Sequence, residues 1–264
     1  MKKNTVNTFR KMKAEGNKIV MITSYDAVTA AMAHEAGADL LLVGDSMANA
    51  ILGYPNTIAL SLEESMFHVR AVRRGAPEAF VVADMPFMTF QNSMEKALDN
   101  AAAYLQKCGA DAVKIEGGLQ ILPVMQRMVE CGIPVMAHIG LLPQKVMTSG
   151  GYKLSGKTDD AAKRLIEEAL AVQEAGAFSV VLECMPEAIG KMISEKLDIP
   201  TIGIGGGRNC DGQVQVITDV LGIGSFLPKH AKRYAECSNI MRNAIKNYVD
   251  DVKNSKFPEE NNCF

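Results

Sequence analysis

Three stretches of this chain follow one plan: Ala36-Gly-Ala-Asp-Leu-Leu-Leu-Val-Gly-Asp45, Cys108-Gly-Ala-Asp-Ala-Val-Lys-Ile-Glu116 and Ala175-Gly-Ala-Phe-Ser-Val-Val-Leu-Glu183. Each opens with a glycine suited to ending a helix, runs on through a short, largely aliphatic segment, and closes on a carboxylate. Runs of the same kind begin earlier and continue later, at 19–23, 40–44, 80–83, 112–115, 134–137, 179–182 and 201–204, with a weaker one near 220–223. Their starts lie 19 to 45 residues apart, enough for a strand plus a crossover helix and too far for hairpins.

The intervening segments carry helix punctuation. Ser61-Leu-Glu-Glu64 has the form of a capping box, and Thr158-Asp-Asp160 offers a cap followed by two acids at the positive end of a helix dipole. Gly37, Gly75, Gly109 and Gly176 stand where helices would stop. Strands that read as nearly unbroken apolar runs are covered on both faces, as in an all-parallel sheet. The pattern predicts an α/β fold, a (β/α)8 TIM barrel forming a single domain over 1–264. It adds an extra N-terminal helix over 5–15 covering the barrel floor and a C-terminal helix over 232–253. A doubly wound open sheet with the same element order is the alternative.

Composition narrows the function. The 264 residues are 48% hydrophobic and 22% charged, with a net charge of -2, so no whole-chain basic field exists for nucleic acid or an anionic membrane. Small molecules and other subunits are the expected partners. Six cysteines are scattered, the nearest two 23 residues apart, which excludes CxxC zinc or redox spacing and suits a reducing compartment. The polar start of the chain and its short first apolar run fit neither a signal peptide nor a membrane span, so a cytoplasmic location is expected.

In a barrel of this kind the active site lies at the C-terminal ends of the strands, so polar residues that end apolar runs are the candidates. These are Asp45 with Ser46, Asp84, Lys114 with Glu116, His138 and Glu183. Four carboxylates at one mouth would repel one another unless a cation or protons intervened, and an oxygen-only donor set favours Mg2+ over zinc. Taken singly, a strand-end acid can equally be a helix cap, Ser46 a loop hydroxyl and His138 a core histidine. His34, His68 and His230 fall in or beside helices and read as structural, while Arg70, Arg73, Arg74 and Lys107 read as solvated charge on helix faces.

Two glycine-rich stretches remain. Gly203-Ile-Gly-Gly-Gly207 lacks the order of a nucleotide fingerprint and reads better as close backbone approach at a crowded rim, with Asp211 able to cap a following helix. Gly150-Gly-Tyr-Lys-Leu-Ser-Gly156 is either a lid or a plain surface loop.

Read together, Ile22-Thr-Ser-Tyr-Asp26, Val43-Gly-Asp-Ser46, Arg73-Arg-Gly-Ala-Pro77, Ala83-Asp-Met-Pro-Phe87, Val113-Lys-Ile-Glu-Gly-Gly118, His138-Ile-Gly-Leu141, Gly150-Gly-Tyr-Lys153, Leu182-Glu-Cys184, Ile202-Gly-Ile-Gly205 and Asp211-Gly-Gln213 resemble the ketopantoate hydroxymethyltransferase family, in order and over nearly the whole chain. The resemblance implies a (β/α)8 barrel that transfers a hydroxymethyl group from methylenetetrahydrofolate to α-ketoisovalerate, giving ketopantoate in the first committed step toward pantothenate and coenzyme A. It implies Mg2+ as cofactor and a cytoplasmic homodecamer. By motif it carries the metal site onto Asp45, Asp84 and Glu116. Substrate binding falls on Asp45, Ser46, Asp84, Lys114 and His138, and the proton acceptor on Glu183.

Three other readings stay on the table. A metal-dependent barrel of the isocitrate lyase and phosphoenolpyruvate mutase kind would carry a Lys-Lys-Cys-Gly-His loop, for which this chain has only Gln106-Lys-Cys-Gly-Ala110. A phosphate-binding isomerase would rest on Gly203 to Gly207, and a non-catalytic metabolite-binding barrel would not need Glu183.

Overall fold

The computed structural model describes residues 3–264. The chain divides into two compact units, Met1–Val216 and Ile217–Phe264. In the first, eight strands close into a barrel in sequence order: β1 (Ile19–Thr23), β2 (Leu40–Val43), β3 (Val81–Asp84), β4 (Ala112–Glu116), β5 (Val135–Gly140), β6 (Ser179–Glu183), β7 (Thr201–Ile204) and β8 (Gly212–Gln215). All neighbouring pairs are parallel, including β8 with β1. The expected (β/α)8 architecture holds, and the open sheet is excluded by that closing pair.

Alternation along the strands sorts side chains to the inside or the outside of the barrel. Ile19, Met21, Leu40, Leu42, Phe80, Val82, Ala112, Met136, Val181, Ile202 and Val214 form one buried cluster inside it. The helix Val6–Ala14 adds Phe9 to that cluster. Phe9 meets Phe80 edge-on at 5.0 Å between ring centroids and Phe178 at 6.4 Å. Both partners sit just before a strand begins, so the three rings stopper the N-terminal end. The helix is held by a capping box between Thr5 and Thr8 and by Lys13, whose ammonium donates to Asp211 at 2.7 Å.

Several sequence expectations need correction. The eighth strand is Gly212–Gln215, and residues 220–223, where the weak run pointed, are the end of the helix Ile217–Leu221 and the turn after it. Gly212 has to be glycine, because a Cβ there would come within 2.4 Å of the Ile19 carbonyl oxygen. Asp211 caps no helix; its carboxylate accepts from the Thr201 N–H at 2.8 Å and hydroxyl at 2.9 Å, tying the start of β8 to the start of β7. Gly75 is the last residue of the helix Leu62–Gly75 and not a left-handed stop. A Cβ there would lie 2.1 Å from the Ala27 carbonyl, so the glycine lets this helix touch the start of the helix Ala27–Glu35. Arg73 is no free surface charge: it donates to the carbonyls of Gly109, Ala76, Pro77 and Ala79 and pairs with Asp111 at 2.5 Å.

The capping box of Ser61 and Glu64 and the Thr158 cap form as read. Gly37, Gly109 and Gly176 take positive φ at helix ends. In the rim stretch, the Gly206 carbonyl oxygen lies 1.9 Å from where a Cβ of Gly190 would be, which is the close approach the glycines permit.

The second unit contains the helix Ile217–Leu221, the long helix Cys237–Lys253, which starts five residues later than expected, and a short 3-10 turn at Glu260–Asn262. The long helix has no buried residue, and Ile240, Met241, Ile245, Tyr248, Val249 and Val252 are exposed along it. No helix among the described residues is long and apolar enough to cross a membrane.

Candidate active site

The strand register brings the candidate residues together. Asp84 lies opposite Lys114 across β3 and β4, and Glu116 opposite His138 across β4 and β5. Lys114 and Glu116, two apart, continue the inward row begun by Ala112. Asp45 and Ser46 follow Gly44 past the end of β2, and Gly44 has no room for a side chain because its Cβ would stand 2.9 Å from the Ser46 hydroxyl. Glu183 closes β6.

Asp45, Asp84, Lys114, Glu116 and His138 are all buried, each no more than 4% exposed, whereas the Glu183 side chain keeps 16%. The Lys114 ammonium chelates Asp84 at 2.6 and 2.7 Å and stands 3.7 Å from Glu116 Oε1. Asp84 also accepts the Asp45 N–H at 3.0 Å. His138 sits between two acids, its Nδ1 3.4 Å from Glu116 and its Nε2 3.1 Å from Glu183. Ser46 opens the short helix Met47–Ala50 without a side-chain cap bond and shares a 2.8 Å hydrogen bond with the buried Tyr25 hydroxyl. All seven predicted site residues thus lie along one arc of the mouth, from the end of β2 to the end of β6. The inward residues on the remaining arc include Ile202, Ile204 and Val214, which are apolar.

The electrostatics follow from burial and crowding. Burial, then the charges of Asp84 and Glu116, push the Asp45 carboxyl well above the usual carboxylate range. Burial raises Asp84 too, although Lys114 opposes it. For Glu116 burial works upward, but His138 and then Lys114 win and leave it below its ordinary value. Burial disfavours charge on Lys114, yet Asp84, Glu116 and Asp45 outweigh it and hold the ammonium protonated. His138 is drawn down by burial and by Lys114 and up by Glu116 and Glu183, ending at about 9.

A cation fits this cluster. One carboxylate oxygen from each of Asp45, Asp84 and Glu116 lies within 4.8 Å of the others. Buried Glu116 Oε1 has no hydrogen-bond partner, a cost that a ligated ion would remove. A divalent cation would offset the mutual repulsion of the crowded Asp45, Asp84 and Glu116. An all-oxygen set of this kind suits Mg2+.

Two residues at the mouth escaped the sequence reading. Gln144, in the 3-10 turn Pro143–Lys145, is buried against Asp45 and Glu116, and Tyr25 supports Ser46. Their signal is tertiary, since neither ends an apolar run. His68 has the structural role expected of it, with Nδ1 2.5 Å from the Tyr25 carbonyl oxygen. In the loop at 150–156, the Ser155 N–H donates to the Cys184 carbonyl at 2.9 Å, and Tyr152 is exposed.

A closed parallel barrel with buried acids, a lysine and a histidine gathered at the C-terminal mouth defines an enzyme of the strand-end type. Solved structures with the same fold include a phosphonopyruvate hydrolase in complex with oxalate and Mg2+, with TM-score 0.63, 11% identity, and 99% of this chain and 93% of that one covered. Another is 2,3-dimethylmalate lyase, with TM-score 0.58 and 13% identity over 97% of this chain and 86% of that one. At such identities the likeness extends to the fold alone. The sequence is more specific: the family model for ketopantoate hydroxymethyltransferase matches residues 3–260. The 3-methyl-2-oxobutanoate hydroxymethyltransferase of Pseudothermotoga lettingae is 54% identical over 260 residues, 98% of each chain. That of Syntrophus aciditrophicus is 49% identical over 264 residues, 100% of this chain and 97% of its own. The chain belongs to the ketopantoate hydroxymethyltransferase family.

Proposed function

We propose that this enzyme transfers a hydroxymethyl group from methylenetetrahydrofolate to α-ketoisovalerate (3-methyl-2-oxobutanoate), giving ketopantoate for pantothenate and coenzyme A synthesis. The observation that carries the reading is the buried triad Asp45, Asp84 and Glu116 beside Lys114, with Glu183 at the edge of the same cluster. The names of the relatives, 3-methyl-2-oxobutanoate hydroxymethyltransferases, support the substrate and the group transferred.

The reaction begins with loss of the C3 proton of the keto acid, a weak acid that needs an electron sink. Asp45, Asp84 and Glu116 would hold Mg2+, which when bound supplies Lewis-acid stabilisation of the enolate oxygen. Lys114 offers a fixed positive charge to the substrate carboxylate or to the developing enolate. Glu183 takes the proton, and His138, 3.1 Å from its Oε2, keeps that carboxylate aimed. The electron pair left on C3 then forms the new carbon–carbon bond to the folate's methylene carbon; the bonds from that carbon to nitrogen break, water supplies the hydroxyl oxygen, and tetrahydrofolate leaves carrying the proton. Ser46, backed by Tyr25, offers a hydroxyl to the keto acid. Ile204, the partly buried last residue of β7, offers an apolar side chain at the strand ends for the branched aliphatic group.

We place the reaction in the cytoplasm and in a homo-oligomer, a decamer by family resemblance. Six free cysteines agree with a reducing compartment, and the exposed apolar row on Cys237–Lys253 agrees with subunit contact.

Proton NMR of α-ketoisovalerate in D2O, without folate, isolates the enolisation. The C3 proton signal is expected to disappear with Mg2+ and to persist with chelator, and the Glu183→Gln variant is expected to exchange about 100-fold slower or less. Equal exchange in that variant would remove Glu183 as base, and no exchange with Mg2+, with or without a tetrahydrofolate analogue, would overturn the reaction.

A further inference from the structure

Gln144 makes contacts that a loop glutamine has no general reason to make. Past β5 the chain turns sharply at Gly140, which has φ +101 and no space for a Cβ, since one would lie 2.2 Å from the Glu183 carbonyl oxygen. The Leu141 N–H donates to that same carbonyl, and the turn Pro143–Lys145 then drives Gln144 into the mouth, where it is 4% exposed. Its main-chain N–H donates to Glu116 Oε2 at 3.1 Å. Its side-chain amide donates to Asp45 Oδ2 at 3.2 Å and to the Met85 carbonyl at 3.0 Å, and its own oxygen accepts from Gln91 at 3.1 Å.

The Met85 carbonyl can only accept, so the NH2 end must point toward it and toward Asp45; the amide has one orientation. Gln144 therefore occupies one oxygen of Asp45 and one of Glu116, acids from different strands that are otherwise linked less directly, through Asp84 and Lys114. Asp45 Oδ1 and Glu116 Oε1 are left for ligation, and the latter is the buried oxygen without a hydrogen-bond partner. A neutral amide does this without cancelling the negative charge that a cation needs, as a lysine or arginine there would. We propose that Gln144, steered by Gln91, is a positioning residue that presets the ligating oxygens of Asp45 and Glu116 and so sets the enzyme's affinity for its divalent cation. The proposal rests on the metal reading given above.

The test is Mn2+ titration of the full-length enzyme without substrate, following the free-ion EPR signal, for the parent, Gln144→Met and Gln91→Leu. Gln144→Met keeps the main-chain donor and loses the amide; Gln91 is exposed, so its replacement spares the core. Gln144→Met is expected to weaken Mn2+ binding about 10- to 100-fold, the usual cost of losing an outer-shell partner, and Gln91→Leu to weaken it less. C3 deuterium exchange in both is expected to return to the parental rate at saturating Mn2+. If the parent binds Mn2+ and both variants match it, the role assigned to Gln144 is wrong while the metal site stands; should Gln144→Met fail to fold, Gln91→Leu decides alone. Exchange that stays slow at saturating Mn2+ would also overturn a positioning role. A parent that binds no Mn2+ overturns the metal reading and this proposal with it.

Discussion

At His138 two carboxylates outweigh both burial and a nearby ammonium, which gives the residue a pH signature. Its pKa is raised from the ordinary 6.5 to about 9 by Glu116 and Glu183, so protonation favours the folded state. The contribution is fully present below about pH 6.5 and fades as pH rises through about 9. Thermal unfolding of the metal-free enzyme across that window is therefore expected to show a falling Tm, and the His138→Gln variant a flatter profile. Residues such as His138, Asp84 and Glu183 were legible in the sequence because a barrel strand delivers whatever polar residue ends it to one mouth. Gln144 and Tyr25 were not, since what places them is a turn and a neighbouring hydroxyl, which no period of apolar residues encodes. Arg73 misled for a similar reason: its helix position looked solvated, but carbonyls from a neighbouring loop surround it.

Among the elements, strands buried on both faces were readable as continuous apolar runs, and seven of the eight lie where expected. β8 escaped because Gly212-Gln-Val-Gln215 alternates, with Gln213 exposed on the outside of the barrel. Val20 on the adjoining β1, which pairs with Gln213, is likewise exposed, at 52%. The helix Val6–Ala14 was readable from its caps, and its contribution is concentrated in Phe9, 1% exposed between Phe80 and Phe178. The Phe9→Ala variant is expected to lose about 3–5 kcal/mol of stability by denaturant unfolding, since it removes an aromatic ring and leaves a cavity under the strands. The site lies at the opposite end of the barrel, so Mn2+ affinity of the folded fraction is expected to hold.

At the scale of the whole molecule, the exposed apolar row of Cys237–Lys253 predicts the assembly state. Large contiguous apolar surface is uncommon on a monomer, and Ile240, Ile245 and Tyr248 are each more than half exposed. A charge at the middle of that row, Ile245→Glu, is expected to convert a homo-oligomer to smaller species in light scattering coupled to size-exclusion chromatography. An unchanged mass would remove this helix from the subunit contact.

The three phenylalanines at the barrel floor also constrain the order of events. With that end stoppered, the buried acids face the C-terminal ends of the strands, where Glu183 keeps 16% exposure. Under the proposed reaction the keto acid has to reach those acids before the bulkier folate arrives above it, and the ketopantoate formed there has to wait for tetrahydrofolate to leave. Initial-velocity and product-inhibition kinetics are expected to show a compulsory sequence, first in, last out, with the small acid entering first.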